Sequence, residues 1–239
     1  MGDAILNLDH LSKRLATIAH YVPKGSRLLD VGSDHAYLPA YLAQHGRISY
    51  GIASEVAKGP FRNTVREIQS HRLESVLHPR LANGLRAITF HDRINVITIS
   101  GMGGPLIKNI LDQGQAKLVN HPLLILQPNV DAYVVRKWLM SHHYRISHER
   151  IIDDHHEIYE ILVGQWTTRP VRYTHDQLLF GPKLIERQGS VFVRKWSEEV
   201  RHLAFIVKQM NRSTRKPVRR IQQVKKRIQL IRKVINREG

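Results

Sequence analysis

The sequence contains no cysteine. That absence excludes a disulfide framework and any thiolate metal site. It suits a reducing compartment, so a cytoplasmic protein is expected. No basic-then-apolar segment opens the chain, and no apolar run approaches the roughly 20 residues of a membrane span. Neither a secretory leader nor a membrane partner is therefore expected. Acidic residues are scarce: 20 Asp and Glu stand against 37 Lys and Arg, a formal charge of +17. Among the 15 histidines no H-E-x-x-H or comparable metal spacing occurs, so no metal is expected.

The shortage of acid is local. Residues 1–164 hold 18 Lys or Arg against 15 Asp or Glu, whereas residues 165–239 hold 19 against 5, a net +14. A solvated helix face accounts for a few lysines. A net charge of that size is self-repelling and unfavourable without an anionic partner. Nucleic acid is favoured over a membrane, because helix packing takes up the tail's apolar residues and leaves no lipid-facing stripe.

Residues 1–164 alternate short apolar runs with helical patterns. The runs fall at 27–31, 48–53, 76–82, 94–100 and 122–127, with helices at roughly 36–46, 59–71, 105–118 and 131–142. Such alternation implies parallel βαβ units and a sheet covered on both faces. The stretch LSKRLATIAHYV places Leu11, Leu15, Ile18 and Ala19 at helical spacing, a lead-in helix. YRISHERII (144–152) and HEIYEILVG (156–164) are joined only by a short acidic turn around Asp153 and Asp154, which permits an antiparallel hairpin but no crossover. Seven strands ending in an antiparallel hairpin predict a class I (Rossmann-like) methyltransferase fold, where an NAD-type fold would end in a parallel sixth strand.

From about Thr167 the period changes. Trp196, Val200, Leu203, Val207 and Met210 form one heptad seam, and Ile221, Val224, Ile228, Ile231 and Ile235 form another. NRSTRKP (211–217) separates them. A connection this short predicts an antiparallel α-helical coiled coil within one chain, hence a monomer, with basic outer faces. The expected domains are residues 1–166 and 167–239.

Cofactor loops of this kind usually carry a row of glycines, and here the row is missing. In DVGSDHAY only Gly32 sits at the turn after the first strand, followed by Ser33, Asp34 and His35. A pyrophosphate needs bare backbone there. A phosphate-free cofactor such as S-adenosylmethionine tolerates side chains, and its cationic sulfonium tolerates acids. Asp30 ends the same strand, where open α/β sheets bind ligands. Glu55 ends the second strand, in the place of a ribose-binding acid. Asn83, Gly84 and Leu85 follow the third strand, with Asn83 suited to an adenine edge and Leu85 to its face. SGMGGP (100–105) follows the fourth strand and lets backbone approach a ligand. Gln127, Pro128 and Asn129 follow the fifth, offering donors and acceptors to a base edge. Each signal has an ordinary structural explanation, as helix cap, solvated carboxylate or turn. Their order after successive strands is what raises their joint weight.

DVGSDHAYLP, SEVAKGP, NGL, SGMGG, ILQPN and YEILV, in this order, closely resemble the bacterial tRNA (adenine-22-N1)-methyltransferase family. LSKRL at 11–15 and GPKL at 181–184 match as well, so the resemblance covers nearly the whole chain. It implies methyl transfer from S-adenosylmethionine to N1 of adenine 22 in tRNA. It places Arg14, Asp30, Gly32, Ser33, His35, Glu55, Asn83, Gly84, Leu85 and Gly101 at the cofactor. It leaves Tyr37, Met102, Gly103, Gln127, Pro128 and Asn129 for the substrate. Asn83 departs from the family's usual Asp, which implies altered affinity and not lost function.

Adenine N1 can attack a sulfonium methyl directly, without metal, and a nearby carboxylate would stabilise the positive charge that develops. Asp34 is the candidate catalytic residue, with His35 to orient it. Rival readings are a non-enzymatic RNA-binding protein on a methyltransferase scaffold, a methyltransferase of another RNA, and a small-molecule methyltransferase. The ordered loop signals weigh against the first and the basic tail against the last.

Overall fold

A computed structural model describes residues 10–212 and 217–236. The chain divides into two compact units, residues 1–182 and 183–239. The first holds strands β1 (Ser26–Val31), β2 (Ile48–Glu55), β3 (Leu77–Leu81), β4 (Val96–Met102), β5 (Leu123–Pro128), β6 (Tyr144–Asp154) and β7 (Glu157–Trp166). Its helices are α1 (Lys13–His20), α2 (Tyr37–Gln44), α3 (Lys58–Ser70), α4 (Gly104–Gln113), α5 (Ala132–Ser141) and α6 (His175–Phe180).

The strands form one sheet in the order β3-β2-β1-β4-β5-β7-β6. The first five are parallel, and β7 runs antiparallel between β5 and β6. The apolar runs are nearly continuous because both faces are covered. Leu29, Ile97 and Leu124 point to one face and pack with Ile107 and Leu111 of α4 and Trp138 of α5. Their neighbours Leu28, Val96 and Ile125 point to the other and pack with Ile18 of α1, Leu42 of α2 and Ile68 of α3. Each such fully buried side chain stabilises the fold by about 1.5–3 kcal/mol. Chain order reverses between β1 and β4, which opens a crevice at their carboxyl ends.

The β6–β7 hairpin forms as expected, but its turn differs. The strands extend to Asp154 and Glu157, leaving His155 and His156 as the two turn residues, at φ of +51° and +69°. Positive φ at both central positions matches the twist of the flanking strands. Asp153 braces the turn by accepting from the His156 N–H at 3.1 Å.

The division into units falls after Pro182, not at 167. Residues 167–182 are tied to the sheet by polar contacts that periodicity does not reveal. The Ile146 N–H donates to the Tyr173 hydroxyl at 2.8 Å, and Arg136 Nη1 donates to the carbonyls of Leu178 and Leu179 at 3.3 Å. Arg136 is itself buried with Glu149 and Glu160, both of which accept from its guanidinium.

The second unit contains α7 (Leu184–Arg187), α8 (Ser190–Arg212) and α9 (Val218–Ile235). The expected seam residues of α8 and α9 are all buried or half-buried, and Val234 joins them. Arg227 Nη2 donates to Glu199 Oε1 at 2.9 Å across 28 residues of chain, so α9 runs back along α8. Residues 213–216 of the expected break lie outside the described residues. No helix among the described residues is long and apolar enough to cross a membrane.

Candidate active site

The loop between β1 and α2 is strained. Gly32 lies at φ +66°, and a Cβ there would run into the Met102 methyl group. Asp34, His35 and Ala36 follow at φ of +40°, +60° and +61°. Left-handed backbone costs a non-glycine residue roughly 1–2 kcal/mol. The neighbouring strand holds the loop in this shape. Ser54 O accepts from the N–H groups of Gly32 and Ser33 at 2.9 and 3.1 Å, and Glu55 Oε1 accepts from the Asp34 N–H at 2.6 Å. Ala36 anchors the far end, fully buried in the core. Strain that the surroundings over-determine is a mark of a functional loop.

The strained loop gives Asp34 its place. α2 begins after Ala36 with no side-chain cap, so Asp34 does not serve as a helix cap. Its side chain is exposed and lines a cavity of about 420 Å³. Arg14, Asp30, Gly32, Ser33 and Tyr37 line the same cavity, as do Gly101 and Met102 across the crevice. Asp30 is only 3% exposed. Its carboxylate accepts from Ser33 Oγ at 2.7 Å and from Thr98 Oγ1 at 2.6 Å. Burial nevertheless pushes its pKa up to about 6, outweighing those bonds. Burial likewise raises Glu55 above the usual carboxylate range.

Across the crevice, the loops after β4 and β5 are locked together. Register slips between Ser100 and Met102, so Gly101 bulges out of the ladder at φ +75°. A bulge leaves backbone groups unpaired. Gln127 Oε1 accepts from the Gly101 N–H at 3.0 Å, and Asn129 Nδ2 donates to the Gly101 carbonyl at 2.9 Å. The Asn129 N–H donates to Met102 O at 2.8 Å, and the Gly104 N–H donates to Val130 O at 2.9 Å. At Gly104 a Cβ would collide with the Asp131 carbonyl. The glycine there is required by this loop-to-loop contact. Gln127 Oε1 also accepts from Arg14 Nη1 at 2.9 Å, and Arg14 sits 5.5 Å from the Tyr159 ring centroid.

The expected residues therefore fall into three groups. Arg14, Asp30, Gly32, Ser33, Asp34, Tyr37, Gly101 and Met102 share the cavity. Glu55 stands directly behind it through the Asp34 N–H, and the His35 ring stands 6.0 Å from that of Tyr37. The others lie apart from its wall. Gln127 is fully buried, Pro128 is buried, Gly103 is half-buried and Asn129 is exposed. Asn83 is exposed, Gly84 sits against Ile110, and Leu85 is packed into the core beside Gly114. Sequence pattern does not single out Thr98. It pairs with Asp30 in register, and the only signal is a hydroxyl set between Ile97 and Ile99 in the run INVITIS. Asp154 reads from sequence only as a turn residue, yet its carboxylate accepts from the Arg14 backbone N–H at 2.8 Å.

This chemistry fits S-adenosylmethionine better than a dinucleotide. Side chains on Ser33 and Asp34 stand where a pyrophosphate needs bare amides. Arg14 offers a cation to a carboxylate, and buried Asp30 and Glu55 offer acceptors to an amine and a ribose. The volume lies within the roughly 300–1,000 Å³ of small-molecule sites. Among the described residues no cluster of three or more His, Asp or Glu is arranged for a metal.

Sheet order, terminal hairpin and a cavity at the β1/β4 switch point together define a class I methyltransferase fold. A family model described as tRNA (adenine(22)-N(1))-methyltransferase matches residues 28–233, and the chain belongs to that family. It is 37% identical over 97% of its length to the Bacillus subtilis tRNA (adenine(22)-N(1))-methyltransferase, covering 99% of that protein. A Streptococcus pneumoniae protein crystallised with S-adenosyl-L-methionine is similar at a TM-score of 0.87 and 40% identity, over 95% of this chain and all of that one. A Listeria monocytogenes structure is similar at a TM-score of 0.92 and 36% identity, over 95% of this chain and all of that one.

Proposed function

We propose that this chain transfers a methyl group from S-adenosylmethionine to N1 of adenine 22 in tRNA. The observation that carries the reading is the acid-lined cavity at the β1/β4 switch point in a chain of this family. S-adenosylmethionine, when bound, supplies an electrophilic methyl on a sulfonium. Arg14, Asp30, Gly32, Ser33, His35, Glu55 and Gly101 hold it, and the stretch Asn83–Leu85 frames its adenine. Tyr37, Met102 and the Gly103 and Asn129 segments hold the target base after it leaves the RNA stack, at a cost of a few kcal/mol. Asp34 is the catalytic residue. Its carboxylate stabilises the positive charge that methylation places on the adenine and accepts the proton released from N6.

The second unit supplies RNA affinity. Its two long helices act as an antiparallel coiled coil whose exposed Lys and Arg neutralise tRNA phosphates. The protein works as a monomer in the cytoplasm. Unmodified tRNA incubated with the protein and S-adenosylmethionine should gain one methyl, located at N1 of adenine 22 by nuclease digestion and mass spectrometry. Methylation of another RNA would reassign the substrate. Tight tRNA binding without S-adenosylmethionine binding would make the chain an RNA-binding protein.

A further inference from the structure

We propose that Gln127 is a positioning residue of the cofactor cavity, aiming the charge of Arg14 while touching neither cofactor nor RNA. The inference rests on the function proposed above and replaces the expectation that Gln127 reads a base edge. Gln127 is fully buried, and both ends of its amide are engaged. Its oxygen accepts from Arg14 Nη1 at 2.9 Å and from the Gly101 N–H at 3.0 Å. Its nitrogen donates to Asn129 Oδ1 at 2.9 Å. Fully buried, the side chain presents no surface to a substrate.

The residue type matters because Arg14 lines the cavity and Gln127 does not. A carboxylate at 127 would hold the guanidinium equally well and would neutralise it. An amide holds it and leaves its charge available to an anion. The anion implied is the carboxylate of the cofactor's amino-acid portion. A glutamate would also lose the N–H that reaches Asn129 and would set two acceptors against each other. One side chain thus satisfies the bulged Gly101, braces Asn129 and directs Arg14.

Gln127→Glu is the test, read by titration calorimetry with two ligands. S-adenosylhomocysteine carries the carboxylate, and decarboxylated S-adenosylmethionine lacks it. Gln127→Glu should weaken the first about tenfold or more, the scale of one charge-assisted hydrogen bond. The second should change less than about threefold. Arg14→Met should reproduce that selectivity, and the double variant should lose less than the sum of the two. Arg14→Met carries the test if Gln127→Glu misfolds, which a melt without ligand would reveal. Equal losses for both ligands in a folded Gln127→Glu protein, or unchanged affinity for S-adenosylhomocysteine, would overturn the inference. So would weakened tRNA binding with cofactor affinity intact, which would return Gln127 to the substrate. Failure of the wild-type protein to bind S-adenosylhomocysteine would instead overturn the proposed function.

Discussion

The sheet unit and the helical unit use charge in opposite ways. The sheet unit buries it: Asp30, Glu55, Asp92, Arg136, Glu149 and Glu160 are each at most 7% exposed. No charged residue described in the helical unit is buried, and α9 carries no acid at all. Buried charge is costly to desolvate, so it persists only where its partners are placed for it. It therefore records geometry. Exposed charge at a surface is screened and individually weak, so it acts by number and on a polyanion. Within the sheet unit the contrast repeats. Arg136 binds Glu149 and Glu160 together as a buried structural cluster, whereas the Asp30 carboxylate is bonded to two hydroxyls and faces a cavity.

The largest expected effect tests the structural cluster. Arg136→Met takes the guanidinium away from two buried carboxylates and should destabilise the protein by about 3–5 kcal/mol in denaturant unfolding. Replacing all three residues by apolar ones of similar volume should restore most of that. A loss under about 1 kcal/mol from Arg136→Met would mean that burial there does not enforce pairing.

Asp30→Asn should move stability the other way. The folded carboxyl titrates near 6 against an ordinary value of 3.8, so the native state holds its proton to higher pH than the unfolded chain. Native stability from this group is therefore full below about pH 4 and falls as pH rises to about 6. Asn removes the penalty, so the unliganded variant should gain up to about 3 kcal/mol at pH 7–8, with the gain vanishing as pH drops through 6 toward 4. Melts across that range check it. S-adenosylhomocysteine binding should weaken at the same time, separating this acid from the cluster around Arg136.

Asp34→Asn keeps the shape of an exposed acid and removes its charge. Single-turnover methylation at saturating cofactor should slow by about two orders of magnitude, with cofactor affinity little changed. Near-normal turnover would move the catalytic group elsewhere in the cavity.

The smallest effect tests the helical unit. Replacing exposed Lys225, Lys226, Arg232 and Lys233 of α9 by Gln should weaken tRNA binding by about one order of magnitude at low salt. The salt dependence should flatten by up to about 0.9 for each phosphate no longer neutralised. Unfolding midpoints should scarcely move, because these side chains have no buried partner to strand.

The alternation of apolar runs made the sheet legible from sequence, because strands buried on both faces must be apolar throughout. The heptad seams of α8 and α9 were legible for a similar reason, since a helix that buries one stripe repeats it every three or four residues. Asp30, Asp34 and Gly32 could be placed at the carboxyl edge because their position after β1 is a matter of chain order. What remained hidden was contact between residues far apart in the chain. Thr98 beneath Asp30, Arg136 tying α6 to the sheet, and Gln127 joining Arg14 to Gly101 all span dozens of residues. Hydrogen-bond partners carry no period, so only the assembled sheet decided them. The QPN segment shows the limit: its donors and acceptors were evident, but the bulge at Gly101 that Gln127 and Asn129 satisfy exists only once β4 and β5 are paired.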